Sequence, residues 1–137
     1  MNVLDVIRRG RTGRDLVQNT TGPGRFAKLL KQVVCKDGTT ISVQASQNHY
    51  CSPRNDYGPW YAVEVGFPSV CPEPWAEWAT YCEDKDKPTE TVYGWVPVSV
   101  VEQFVEAHGG VDDGLSGAQW AARMVAAKAA QVAGEEA

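Results

Sequence analysis

Nothing in this sequence approaches a run of about 18 apolar residues, the length that crosses a bilayer as a helix, so no membrane span is expected. Close metal-ligand pairs are missing as well. The four cysteines, at 35, 51, 71 and 82, include no C-x-x-C pair, and the two histidines, His49 and His108, stand far apart. Structural zinc normally draws on such pairs, so no metal is expected. Neither G-x-G-x-x-G nor G-x-x-x-x-G-K-[ST] occurs, which removes the motif-bearing nucleotide folds and leaves no cofactor to expect. There is no excess of positive charge either. A formal net charge of −4 argues against broad nucleic-acid binding, whose usual footprint is a basic face. The opening MNVLDVIRRGRTGR lacks the apolar core and cleavage site of a signal peptide, so a cytosolic location is expected, with free thiols favoured over disulfides.

What is present fits one ordinary domain of 137 residues with 43% apolar content. Charge is uneven along it. Arg8, Arg9, Arg11, Arg14, Arg25, Lys28, Lys31 and Lys36 fall early, while most acids come later. That asymmetry suits either a solvated basic arm or a basic mouth on an acidic body. Three parts are expected: a flexible basic N-terminal arm or short helix over 1–25, an α+β core over 26–110, and a C-terminal helical part over 111–137 as a candidate oligomerisation element.

Periodicity and turn chemistry place the elements. Val3, Leu4, Val6 and Ile7 share one face of a short helix that Gly10 stops, and the glycine-rich stretch 10–24 reads as a connector that leaves this piece loosely attached or packed on a partner. Asp37-Gly38 between AKLLKQVVC and TTISVQAS predicts a hairpin, with Ile41, Val43 and Ala45 on the buried face of the second strand. Tyr61–Phe67 and Thr91–Val96 read as a third and a fourth strand. Between them, residues 68–90 carry four prolines, the acidic run 83–87 and a short helical candidate at Trp75–Ala79. This lobe is either functional or a surface excursion that buries Trp75 and Trp78. Pro97 opens a helix whose stripe of Val100, Val101, Phe104 and Val105 covers the sheet, and Gly109-Gly110 ends it. A second, alanine-rich helix follows Ser116, with Trp120, Met124 and Val132 as a thin apolar face. The fold class is therefore α+β: an antiparallel sheet of about four strands packed by a helix, plus the C-terminal Ala-rich helix.

Chemistry concentrates in QNHYCSPRNDYGPWYAVEVGFP, residues 47–68, where aromatic and hydrogen-bonding groups alternate in a loop broken by Pro53, Gly58 and Pro59. Arg54 offers a two-pronged grip for phosphate or carboxylate, and Tyr50, Tyr57, Trp60 and Phe67 offer faces for a base. Asn55, with Asp56, offers polar contacts to a base edge or ribose. The competing assignment makes Tyr50, Tyr61 and Phe67 core and pairs Arg54 with Asp56 or Glu64; Tyr61 is expected in the core. The segment 89–95 adds a second polar-aromatic group, from which Glu90 and Tyr93 join the candidate ligand-binding set if the third and fourth strands are neighbours. His49-x-Cys51 resembles a base beside a thiol, and Glu64 with Glu90 a carboxylate pair, but neither carries a reaction signature. No catalytic residue is assigned.

The segments CKDGTTISVQASQNHYCSPRNDYGPWYAVEVGFPS and PTETVYGWVPVSVVEQFVEAHGG resemble small proteins of tailed phages and prophages. The hairpin, the Y-C-x-P-R loop and the V-P-V helix are similar to the Thoeris anti-defence sponges. The likeness to small phage proteins spans about residues 33–110, and the likeness to the sponges carries the functional expectation. It implies a small α/β oligomer that sequesters a cyclic ADP-ribose type signal in the host cytosol without cleaving it, the ligand lying at subunit interfaces. The expected partners are thus a nucleotide-derived small molecule and further copies of the chain, with no membrane and no nucleic acid. Two alternatives stand beside this reading. One is a protein-binding, anti-CRISPR-like inhibitor that uses the acidic run and the tryptophans. The other is a thiol or nucleotide-cleaving enzyme.

Overall fold

The computed structural model describes residues 2–11 and 29–136, with side chains as far as Ala133. The chain is α+β. In order it forms α1 (Val3–Arg9), β1 (Val33–Val34), β2 (Thr40–Gln44), β3 (Ala62–Gly66), α2 (Trp75–Trp78), β4 (Val92–Pro97), α3 (Val98–Ala107) and α4 (Gly117–Glu136). The four strands make one antiparallel sheet in sequence order. The Asp37-Gly38 turn forms as its chemistry predicts: Gly38 sits at φ 94 and donates its N–H to the Cys35 carbonyl at 2.9 Å. His108, at the end of α3, ties this turn down, its Nδ1 lying 2.6 Å from Asp37 Oδ2 and 3.1 Å from Thr39 Oγ1.

Alternation decides what faces the core. Val33, Ile41, Val43, Val63, Val65, Tyr93 and Val96 are buried on one side of the sheet, where α3 adds Val98, Val100, Val101, Phe104 and Val105. Thr40, Ser42, Gln44, Glu64 and Gly66 lie on the other side. Gln44 is buried there because it has work for both ends of its amide: Oε1 accepts the Leu30 N–H at 2.8 Å and Nε2 donates to the Leu30 carbonyl at 2.7 Å.

The first helix departs from expectation. It is neither loose nor turned to a partner: Val3, Leu4, Val6 and Ile7 belong to the core cluster, each burial contributing about 1.5–3 kcal/mol. Asn2 and Asp5 cap it reciprocally, and Gly10 at φ 96 ends it. Arg8 pairs with Glu102 of α3, so part of the basic N-terminus is bonded to the body. Apart from Gly10 and Arg11, the connector read over 10–24 lies outside the described residues.

The 68–90 lobe is held from within. Trp78 is fully buried, edge-on to Tyr93 at 5.5 Å and to Phe104 at 5.7 Å, with Trp75 packed at its margin. The acidic run 83–87 is exposed beside it.

Candidate ligand-binding surface

One residue out of register shapes this surface. β3 and β4 pair as Val65↔Tyr93 and Val63↔Val96, so a single residue, Glu64, stands opposite two, Gly94 and Trp95. Strict alternation from Tyr93 would aim Trp95 into the core; the bulge turns it outward at φ 50 and leaves the residue 50% exposed. The Tyr50 ring stacks on it with centroids 5.1 Å apart and planes 30° off parallel. Gly94 permits the approach, since a Cβ there would lie 3.3 Å from Tyr50 Cβ. The backbone fixes the pair, with the Trp95 N–H donating to the Tyr50 carbonyl at 3.0 Å and the Tyr50 N–H to Glu64 Oε1 at 3.2 Å.

Arg54 completes the group. Its guanidinium carbon stands 5.8 Å from the centre of the Tyr50 ring, and its Nε donates to the Gln47 carbonyl at 3.1 Å. Pairing with Asp56 or Glu64 does not occur. Asp56 Oδ1 accepts the Gln47 N–H at 3.0 Å, Glu64 is engaged by Tyr50, and Arg54 makes no ion pair among the described residues. The terminal guanidinium nitrogens therefore remain available for an anion at an exposed position.

Several expected site residues do other work. Trp60 is 4% exposed and is core, its indole N–H on the Asn55 carbonyl at 3.2 Å and its backbone N–H on Ile7 of α1 at 3.0 Å. Asn55 uses its side-chain oxygen within the turn, accepting the N–H groups of Tyr57 at 3.0 Å and Gly58 at 2.8 Å. Gly58, at φ 70, is required there because a Cβ would enter the Trp60 ring at 2.5 Å. Tyr57 is exposed, while its carbonyl receives the Arg11 N–H at 2.7 Å. Tyr93 is fully buried and donates its hydroxyl to the Pro88 carbonyl at 2.6 Å; burial, with Cys82 nearby, pushes its pKa up. Tyr61, expected in the core, is 71% exposed. Phe67 and Glu90 do come together, but at the far end of β3 beneath α4. Glu64 and Glu90 form no pair: Glu64 faces the bulge, whereas Glu90 precedes β4 altogether.

The thiol–imidazole arrangement is structural. Cys51 is buried and donates to the Ser46 carbonyl at 3.1 Å, and burial pushes its pKa up, the opposite of an activated thiolate. His49 Nδ1 lies 2.7 Å from Ser46 Oγ, and burial depresses its pKa.

Trp95 is the residue that sequence reasoning passed over in favour of Tyr93. Its signal was Gly94, since a glycine inside a strand often marks a bulge or a close backbone approach. Comparison with known protein families, with curated proteins and with solved structures returned no match.

Proposed function

We propose that this protein captures a nucleotide-derived small molecule on the Arg54–Tyr50–Trp95 surface and holds it intact. A defence signal of the cyclic ADP-ribose type is the ligand class implied by the resemblance to phage anti-defence sponges. The observation that carries the reading is Trp95. A bulge turns a large aromatic ring out of a strand and stacks it on Tyr50, with an uncompensated guanidinium over the same tyrosine. Base stacking on such rings contributes about 1–3 kcal/mol per base, and Arg54 supplies the phosphate contact. The exposed outer residues of α4, Ala118, Ala122, Val125, Ala129 and Val132, follow a 4-3-4-3 spacing suited to close packing on a second copy, so the proposal includes a homo-oligomer.

The test is depletion and recovery. Purified protein is mixed with cyclic ADP-ribose isomers and cyclic dinucleotides, the free ligand is measured, and the protein is then heat-denatured. The proposal expects one ligand to be depleted and recovered unaltered, with Arg54→Ala weakening capture about tenfold. Recovery of a cleaved product would make the protein an enzyme. Depletion of no nucleotide would overturn the proposal.

A further inference from the structure

A second concave site lies where α4 passes the end of the β3–β4 pair. Two anchors hold the helix in place. The Trp120 indole N–H donates to the Gln32 carbonyl at 3.1 Å, and Gln131 Nε2 donates to Thr89 Oγ1 at 2.8 Å. Between these anchors is a cleft of about 350 Å³. Phe67, a residue 52% exposed, forms one wall at φ 50, and its N–H is held on the Thr91 carbonyl at 3.0 Å. A bulky residue in the left-handed region costs free energy, and the chain accepts that cost to keep an apolar ring at the surface. Glu90 and Lys128 line the same cleft, and neither makes an ion pair among the described residues. At the base, Ser69 Oγ accepts the Thr40 N–H at 2.9 Å, which leaves the serine hydroxyl hydrogen to donate.

We infer that this cleft binds a mononucleotide, with the base stacked on Phe67, the phosphate on Lys128, and ribose hydroxyls or an exocyclic amine donating to Glu90. A purely aromatic ligand would make no use of the exposed Glu90 and Lys128, and a free anion would leave Phe67 unused. A ligand carrying a flat ring, an anion and hydrogen-bond donors satisfies all three groups at once. The inference goes beyond the proposed function and does not depend on it. The Arg54 surface sits over the Gly94–Trp95 bulge opposite Glu64, at the middle of β3, whereas Phe67 lies past the C-terminal end of that strand, beside α4.

The test is calorimetric titration of the full chain with AMP, adenosine and inorganic phosphate, beside Tm measurements on variants. The inference expects AMP to bind about tenfold more tightly than adenosine or phosphate alone. Phe67→Gly relieves the backbone, so it raises Tm while weakening AMP about tenfold. These titrations are made in an Arg54→Ala background, which takes the other surface out of the measurement; there Lys128→Ala weakens AMP and leaves adenosine unchanged. The inference is overturned by the absence of AMP binding, by AMP binding that survives both Phe67→Gly and Lys128→Ala, or by a fall in Tm for Phe67→Gly. Loss of AMP binding in Arg54→Ala would move the nucleotide to the other surface and likewise overturn it.

Discussion

At Trp95 and Phe67 the chain holds a bulky aromatic residue at φ 50, and no other non-glycine residue among the described residues has a positive φ. Such a conformation costs about 1–3 kcal/mol, and strain of this kind tends to persist where a site uses it. Both residues are about half exposed, so neither is strained in order to fill the core. His49 presents the opposite case, a polar residue whose environment suits one protonation state. Burial depresses its pKa below 6.5, with Arg11 and Arg54 acting in the same direction, against Glu64 and Asp56. The folded state therefore prefers the neutral ring, and the unfolded chain binds the extra proton first. Its contribution to stability is complete above pH 6.5 and is lost as pH falls toward the folded pKa. Urea midpoints measured from pH 7 to pH 5 should fall more steeply for the wild type than for His49→Gln. Parallel curves would show that the ring is not held neutral.

Among the elements, those with strong local signals were legible. The Asp37-Gly38 hairpin, the two strands that follow, the valine stripe of α3 and the capped helix after Ser116 all form where composition and turn chemistry put them. Ser116 Oγ accepts the Gln119 N–H at 3.2 Å, and the Ser116 N–H returns to Gln119 Oε1 at 2.8 Å, a reciprocal cap at the start of α4. Docking of α1 was not legible, because four apolar residues on a helix do not say what they will meet; here Trp60 and the Gly10–Tyr57 approach receive them. The bulge was also missed, since alternation alone assigns Tyr93 and Trp95 to the same face. For α4 the sequence suggested a thin face of Trp120, Met124 and Val132. Trp120 and Met124 turn inward, whereas Val132 and the 70%-exposed Val125 turn out. If that outer face pairs two copies, Val125→Glu places a charge in the seam. Size-exclusion chromatography with light scattering should then show the wild type as an oligomer and the variant as a monomer, with unchanged circular dichroism. A monomeric wild type at high protein concentration would remove α4 from any assembly.

Across the whole molecule, no helix among the described residues is long and apolar enough to cross a membrane. The candidate site was half legible. Residue types and loop position singled out Arg54 and Tyr50, and the neighbouring of β3 and β4 brought the second aromatic group alongside them. What could not be read was the division of one expected site into two places. Phe67 and Glu90 face α4, while Trp60 and Tyr93 serve the core and Trp95 takes the place given to Tyr93. Side-chain direction after a bulge, and the path of a long helix, are set by tertiary contacts that no local pattern records. The central claim is that Trp95 is held at positive φ because its ring binds ligand. Trp95→Gly tests it most directly, with Tm and capture of the cyclic ADP-ribose type ligand measured on the same sample. The account predicts a Tm equal to or above that of the wild type with capture weakened about tenfold; a lower Tm with capture unchanged would contradict it.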